Sequence, residues 1–204
     1  SIAEPFELYF DINLGGKDVT GADGIAFVLQ QVSTSVGSTG EGLGYEGIFP
    51  SIAIELDTWQ NLNRNDPPID HISLSQNGVV NHGVPNNIAG PFPVGVNGNI
   101  EDGLFHGFRV TLKPVSQIFR AYFDWLLSLV FQGNIISDVF NNDPFVFFGF
   151  TGATGGSNNR QEFCLDYISF TEHLRDTAIC EGGSIPMNPG SGSFFYWSPA
   201  DGLS

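Results

Sequence analysis

Basic residues are scarce in this 204-residue sequence: 7 Lys and Arg stand against 22 Asp and Glu, a formal net charge of -15. A surface so charged repels phosphate, which excludes nucleic acid and anionic membranes and leaves cations and neutral polar ligands as partners. Apolar runs of spanning length are also missing. The most apolar stretch, Ile118 to Phe131, is interrupted by Arg120 and Asp124 and falls short of the roughly 20 residues a membrane helix needs, so no membrane insertion is expected. Helix-period stretches are nearly absent, and no basic-then-apolar leader opens the chain, so a signal peptide has been removed or never existed. Cysteine is limited to Cys164 and Cys180. The pair fits a disulfide in an oxidising compartment, but two are too few to define a framework, and paired and unpaired readings both stay open.

Catalytic signatures are lacking as well. No Gly-x-Ser-x-Gly, His-Glu-x-x-His or Cys-x-x-Cys occurs, and His71, His82, His106 and His173 are scattered along the chain. No Asn-x-Ser/Thr sequon is present, which fits a bacterial surface protein without establishing one. The glycine-rich stretch Val32 to Gly47 has no Gly-Lys-Ser/Thr after it, so it is not a phosphate loop.

What is abundant is turn chemistry and aromatic bulk: 26 Gly, 12 Pro and 19 Phe. That composition belongs to short strands joined by tight turns. Strands are predicted at Phe6 to Phe10, Ile25 to Gln30, from Ile52 onward, Ile72 to Leu74, Phe108 to Leu112, Ile118 to Phe123, Leu126 to Phe131, Phe145 to Phe150 and Glu162 to Phe170. Asn77-Gly78 is a strong hairpin signal, whereas Asp124-Trp125 stands where Asp-Gly would be usual. Val79 to Gly103 reads as turns with short edge strands. The apolarity of Phe145 to Phe150 predicts burial on both faces. About ten short strands describe an all-β sandwich of two sheets.

The segment Ile52 to Ile72, IAIELDTWQNLNRNDPPIDHI, organises the rest. Alternation puts Ile52, Ile54 and Leu56 on one strand face and Ala53, Glu55 and Asp57 on the other. Two carboxylates roughly 6 to 7 Å apart on one face repel unless a cation stands between them. Asn61, Asp66 and His71 follow in a loop rich in Asn and Pro, so oxygen donors and one imidazole converge. Upstream, Asp23 precedes a buried strand, either as a turn residue bonded to its own backbone or as a rim contact to a ligand.

Together, Ala22-Asp23-Gly24-Ile-Ala-Phe-Val-Leu, Gly42-Leu43-Gly44-Tyr45, Ile54-Glu55-Leu-Asp57-Thr-Trp59-Gln-Asn61, Asp66-Pro67, His71-Ile72 and Gly149-Phe150-Thr-Gly-Ala-Thr-Gly155-Gly156 resemble, in order, the L-type (legume-like) lectin domain over residues 1–175. The resemblance implies a concanavalin-like jelly-roll β-sandwich of two antiparallel sheets that binds glycans through loops held by metal. It implies that Asp57, Asn61, Asp66 and the Trp59 carbonyl hold Ca2+, an ion that takes oxygen ligands. It also implies that Glu55, Asp57, Asp66 and His71 hold a second divalent ion such as Mn2+, to which one imidazole among oxygens is suited. The Asn61 to Asp66 spacing is longer, and the Asp66 to His71 spacing shorter, than in the plant pattern, so His71 is either a ligand or a buried, hydrogen-bonded histidine.

For the sugar, the resemblance implies Asp23 after a cis Ala22-Asp23 peptide, Asn61, and a backbone amide within Gly40, Glu41 and Gly42. Glu41 stands where the family has glycine. Gly155, Gly156, Ser157 and Asn158 would complete the rim. Trp59 and Tyr45 are either stacking platforms or core residues. The same sandwich carries glucanases, but after Glu55-Leu-Asp57 the next positions are Trp59 and Gln60, and the partner carboxylate a retaining enzyme needs is missing, so no enzyme is expected. Residues 176–204, with Ile179-Cys180-Glu-Gly and Tyr196-Trp-Ser-Pro-Ala-Asp-Gly-Leu203, are similar to the start of immunoglobulin-like modules in secreted bacterial adhesion proteins. The expectation is therefore a calcium-dependent lectin domain of an extracellular or cell-surface adhesin, with a calcium-rigidified spacer as the alternative and a hydrolase as a weaker one.

Overall fold

The computed structural model describes residues 1–170. The expected module start at 176–204, Cys180 and the disulfide it would make with Cys164, and His173 lie outside the described residues. Ten strands are present: β1 Phe6–Asn13, β2 Gly24–Gln30, β3 Ser51–Asp57, β4 His71–Gln76, β5 Asn87–Pro93, β6 His106–Lys113, β7 Ile118–Phe123, β8 Leu126–Gln132, β9 Phe147–Ala153 and β10 Glu162–Phe170. They form two five-stranded antiparallel sheets, ordered β10-β1-β6-β7-β8 and β5-β4-β3-β2-β9. The only helix among the described residues beyond single 3-10 turns is the short α1, Ile135–Asp138. None is long and apolar enough to cross a membrane.

The core lies between the sheets and follows the period-2 alternation of the sequence. Phe6, Leu8, Phe10 and Ile12 of β1, Phe108, Val110 and Leu112 of β6, and Ile52, Ile54 and Leu56 of β3 belong to one buried cluster with Ile25, Phe27 and Leu29 of β2. Each such side chain contributes about 1.5–3 kcal/mol by leaving water. The outer face of β2 and β3 is buried too, because the glycine-rich loop folds over it: Leu43, Tyr45 and Ile48 pack with Ala26, Val28, Ala53 and Val80 in a second cluster. That cover also removes Glu55 and Asp57 from water.

Two local expectations change. Phe147 and Phe148 are 46% and 43% exposed, not buried on both faces, because β9 is the edge of its sheet; Phe150 packs inward against Phe10 and Phe27, and Phe148 reaches Phe27 only from that edge. Asn77 and Gly78 do turn, with φ of 61° and 67°, but they dock against Ser51 and Gly47, and the next strand, β5, starts only at Asn87.

The β7–β8 hairpin places both Asp124 and Trp125 in the left-handed region, φ 45° and 70°. Contacts offset the missing glycine: Trp125 lies on Tyr9 with ring centroids 5.2 Å apart, and Asp124 accepts from the Gly107 amide and pairs with His106. Burial alone would lower the His106 pKa, but the carboxylates of Asp124 and Asp102 outweigh it and raise it. A raised histidine contributes stability below its ordinary pKa and loses it as pH rises through the folded value. His106→Gln is therefore expected to cost under about 1 kcal/mol at pH 5.5, as for other solvent-screened pairs, and less at pH 8. Denaturant titrations at the two pH values check this; an equal cost at both would exclude the ion pair as its source.

Candidate functional site

One end of the sheet ordered β5-β4-β3-β2-β9 gathers the candidate site residues. Its register sets Gly24 opposite both Asp57 and Ala153, and Asp57 opposite His71. The start of β2, the end of β3, the start of β4 and the end of β9 therefore meet. Gly24 has φ +129°, and a Cβ there would run into the Leu56 carbonyl, so only glycine lets β2 begin this close to β3.

Before it, the Ala22-Asp23 peptide is cis. The Asp23 amide donates to the Ala153 carbonyl at 3.1 Å, and its carbonyl accepts from the Thr58 amide at 3.0 Å. The Asp23 backbone is thus pinned between two strand ends, and its side chain projects from there. It is 5% exposed, and its Oδ2 has no hydrogen-bond partner. Burial first, and the charge of Glu41 second, raise its pKa.

Two of the loops expected at the rim come together beside Asp23, and the third, bearing Asn61, reaches them through Glu41. A Cβ on Gly155 would stand 3.8 Å from Asp23 Oδ2 and 3.9 Å from the Gly40 Cα. Gly155 N donates to the Ser157 carbonyl at 3.1 Å, closing the loop tip, and a Cβ at Gly156 would meet open space. Asn158 turns its Oδ1 to Lys17 Nζ at 2.8 Å. Its neighbour Asn159, the last residue of that rim loop, anchors it by donating to the Ala22 carbonyl at 3.1 Å and to Glu101 Oε1 at 2.7 Å. On the opposite side the 3-10 turn Gly40–Gly42 carries Glu41. Its carboxylate accepts from Asn61 Nδ2 at 3.3 Å and from Asn63 at 3.1 Å, and it pairs with Arg64 at 2.7 Å. The Asn63 bond, with Arg64, lowers its pKa. Arg64 also pairs with Glu46 at 2.8 Å, so it clamps the two loops together, a role that nothing in its sequence context signalled.

Behind this rim is a buried acidic and imidazole cluster. Asp57 Oδ1 accepts from the Trp59 amide at 2.8 Å, and Asp66 Oδ2 from the Asn61 amide at 2.6 Å. Those bonds wrap the loop around the strand end. The other oxygens are less satisfied: Glu55 Oε2 and Asp66 Oδ1 are buried without a hydrogen-bond partner. Two overlapping groups, Asp57 with Asp66 and His71, and Glu55 with His71 and His82, bring their ligand atoms within 4.8 Å of one another.

Burial raises Glu55 to about 7 and Asp66 to about 6; burial and then the charge of Asp66 push Asp57 well above its ordinary value. Burial also lowers His71 and His82 to about 4, so both rings are neutral. Neutral imidazoles and carboxylates that are costly to ionise alone form a donor set that fits divalent cations.

His82 corrects the sequence reading, which scattered the four histidines: its Nε2 lies 2.9 Å from that of His71. The signal was the Asn77-Gly78 turn, which folds the following residues back toward the start of β4. Of the two readings of Tyr45 the structure has the core residue; it is fully buried and its hydroxyl donates to Glu55. Trp59 is half-buried. Gln60, on which the exclusion of hydrolysis turned, donates to the Asp66 carbonyl at 3.3 Å.

Known proteins resemble the chain throughout the sandwich. Lectin-4 of Griffonia simplicifolia is 37% identical over 89 residues, 38% of this chain and 35% of its own length. The L-type lectin-domain containing receptor kinase VIII.1 of Arabidopsis thaliana is 30% identical over 189 residues, 83% of this chain and 24% of the kinase. The alignments thus span about a quarter to a third of these curated relatives. Among solved structures, the Bauhinia forficata lectin in complex with GalNAc superposes with TM-score 0.61 at 19% identity, covering 80% of this chain and 70% of the lectin. The exoplasmic/lumenal domain of VIP36 in its Ca2+/Man3GlcNAc-bound form does so with TM-score 0.56 at 16% identity, covering 83% and 71%. These structural likenesses establish the jelly-roll fold. The model of the legume lectin β-barrel domain matches residues 1–167, and the chain belongs to that L-type lectin family.

Proposed function

We propose that this domain is a calcium-dependent carbohydrate-binding module that acts outside the cell or at its surface and breaks no bond in its ligand. The observation that carries the reading is Asp23: a buried carboxylate with an unpartnered Oδ2, held at a strand end and flanked by Gly40 and Gly155. Such an oxygen lacks hydrogen-bond donors, and vicinal sugar hydroxyls would supply them; the net charge favours a neutral sugar over an anionic one. Asn61 would add a side-chain amide, with Gly40, Glu41, Gly42, Gly155, Gly156, Ser157 and Asn158 forming the rim. Because Glu41 is engaged by Arg64 and Asn63, it narrows the rim while staying in place.

In this reading Asp57, Asn61, Asp66 and the Trp59 carbonyl hold calcium, and Glu55, Asp57, Asp66 and His71 hold a second divalent ion. The ions supply positive charge that neutralises the buried carboxylates and fixes the loop bearing Asn61. Preorganised partners lose little entropy when a ligand arrives. Galactose and GalNAc supports are the first to try, since the Bauhinia lectin above was solved with GalNAc and the lectin UEA-II with galactose. Asp23→Ala is expected to lower calcium-dependent retention on a responsive support at least tenfold and leave the calcium-dependent rise in melting temperature in place. Retention equal to that of the parent chain would remove the lectin reading and leave the spacer.

A further inference from the structure

The second-ion site carries a feature that the four expected ligands do not account for. We propose that His82 is a direct ligand of that ion beside Glu55, Asp57, Asp66 and His71, and that its imidazole biases the site toward zinc or cobalt over manganese. The inference rests on the metal reading above and deepens it.

The distances suit donors that share one ion. His82 Nε2 lies 3.4 Å from Asp66 Oδ1, 3.6 Å from Glu55 Oε2 and 2.9 Å from His71 Nε2, and His71 Nε2 lies 4.0 Å from Asp57 Oδ2. With bonds of about 2.0–2.2 Å, ligand atoms on one ion stand about 3 to 4 Å apart. The His82 side chain is 2% exposed, so this is not a surface histidine passing near an acidic patch. Glu55 Oε2 and Asp66 Oδ1, the oxygens nearest its Nε2, are the two carboxylate oxygens of the cluster buried without hydrogen-bond partners. Glu55 itself is 0% exposed. A proton-donating residue at this position would satisfy one of them; a cation satisfies both.

The rings are set for the task. His71 Nδ1 lies 3.1 Å from the Ile69 carbonyl and donates to it, which leaves the Nε2 lone pair facing the cluster, the arrangement metal-bound histidines use. His82 Nδ1 has no hydrogen-bond partner, so His82 is oriented by its backbone instead, its amide donating to the Arg64 carbonyl at 2.8 Å. Oxygen-only sets suit calcium, magnesium and manganese, whereas each added imidazole favours zinc, cobalt, nickel or copper. A second ring therefore moves ion preference in a definite direction.

The whole chain, stripped with chelator and kept in excess Ca2+ so that the neighbouring site stays filled, is titrated with Zn2+ and with Mn2+. Pulsed EPR is recorded with one equivalent of Cu2+. The parent chain is expected to show two coupled imidazoles and His82→Ser one. The substitution should weaken Zn2+ at least about 10-fold and Mn2+ by a smaller factor. A single imidazole in the parent chain overturns the proposal without recourse to any variant, as does an equal loss for both ions. Failure of both ions to bind overturns it together with the second-ion site, while calcium-dependent retention on sugar tests the lectin reading separately.

Discussion

Chelation is expected to lower the melting temperature of the metal-loaded domain by about 5 to 16 °C. An ion present at about 100 to 1,000 times its Kd stabilises the native state by about 2.7 to 4.1 kcal/mol, and for a domain of this size each kcal/mol moves the melt about 2–4 °C. The drop should itself depend on pH. In metal-free protein, Glu55 sits at about 7 and Asp66 at about 6 because burial disfavours their charge. Carboxyls raised in this way hold protons that the unfolded chain has already released, so metal-free stability falls as pH rises from the ordinary carboxylate range to about 7.

His71 and His82, lowered to about 4 by burial, work in the opposite sense but only below about 6.5, where the unfolded rings take up protons. Between pH 6.5 and 8 the carboxyls are the only groups of this cluster that act, and the His106 pair, remote from the metal, contributes equally with and without chelator. Bound metal requires deprotonated ligands and gains affinity over the same interval. Melts with and without chelator at pH 6 and pH 8 should therefore differ more at pH 8. Coincident melts at both values would exclude a structural ion.

The sandwich was legible because two physical patterns write it directly. Alternation along β1, β3 and β10 and turn residues between strands predict period-2 elements packed in two layers; the observed β10 has the predicted bounds, and β1 and β3 extend the predicted strands by at most a few residues. The acidic end of β3 was legible for a simpler reason: Glu55 and Asp57 share a face and repel. What the sequence concealed depends on long-range return of the chain. Arg64 is an ordinary loop cation until the turn bearing Glu41 is laid against it. His82 becomes part of the cluster only once the Asn77-Gly78 turn sends the backbone home to β4. Apolar composition could not say that β9 is an edge, since exposure of Phe147 and Phe148 follows from sheet order, and sheet order is not a local property. Trp125 in a left-handed turn is the same lesson at small scale, because Tyr9 arrives from another strand.

Asp57→Asn should have effects of opposite sign in the presence and absence of metal. Asparagine keeps an oxygen to accept the Trp59 amide, now bonded at 2.8 Å, so the loop geometry survives. What it loses is charge. In chelator that charge is a liability: Asp57 is 5% exposed, and its pKa stands well above normal through burial and the nearby carboxylates of Asp66, Glu55 and Asp23. Removing it should raise the metal-free melting temperature by about 2–4 °C at pH 8, a gain of about 1 kcal/mol for one relieved repulsion.

With calcium added, the parent chain should recover its full increment and Asp57→Asn almost none, because Asp57, like Asp66, is proposed to serve both ions and each needs its charge. Calcium-dependent retention on sugar should fall with it, although Asp23 is untouched. The crossing of the two melting curves separates a residue that holds metal from one that merely packs, since a packing residue would lower both. If Asp57→Asn melts below the parent chain in chelator as well as in calcium, the carboxylate is structural and the ions are held elsewhere.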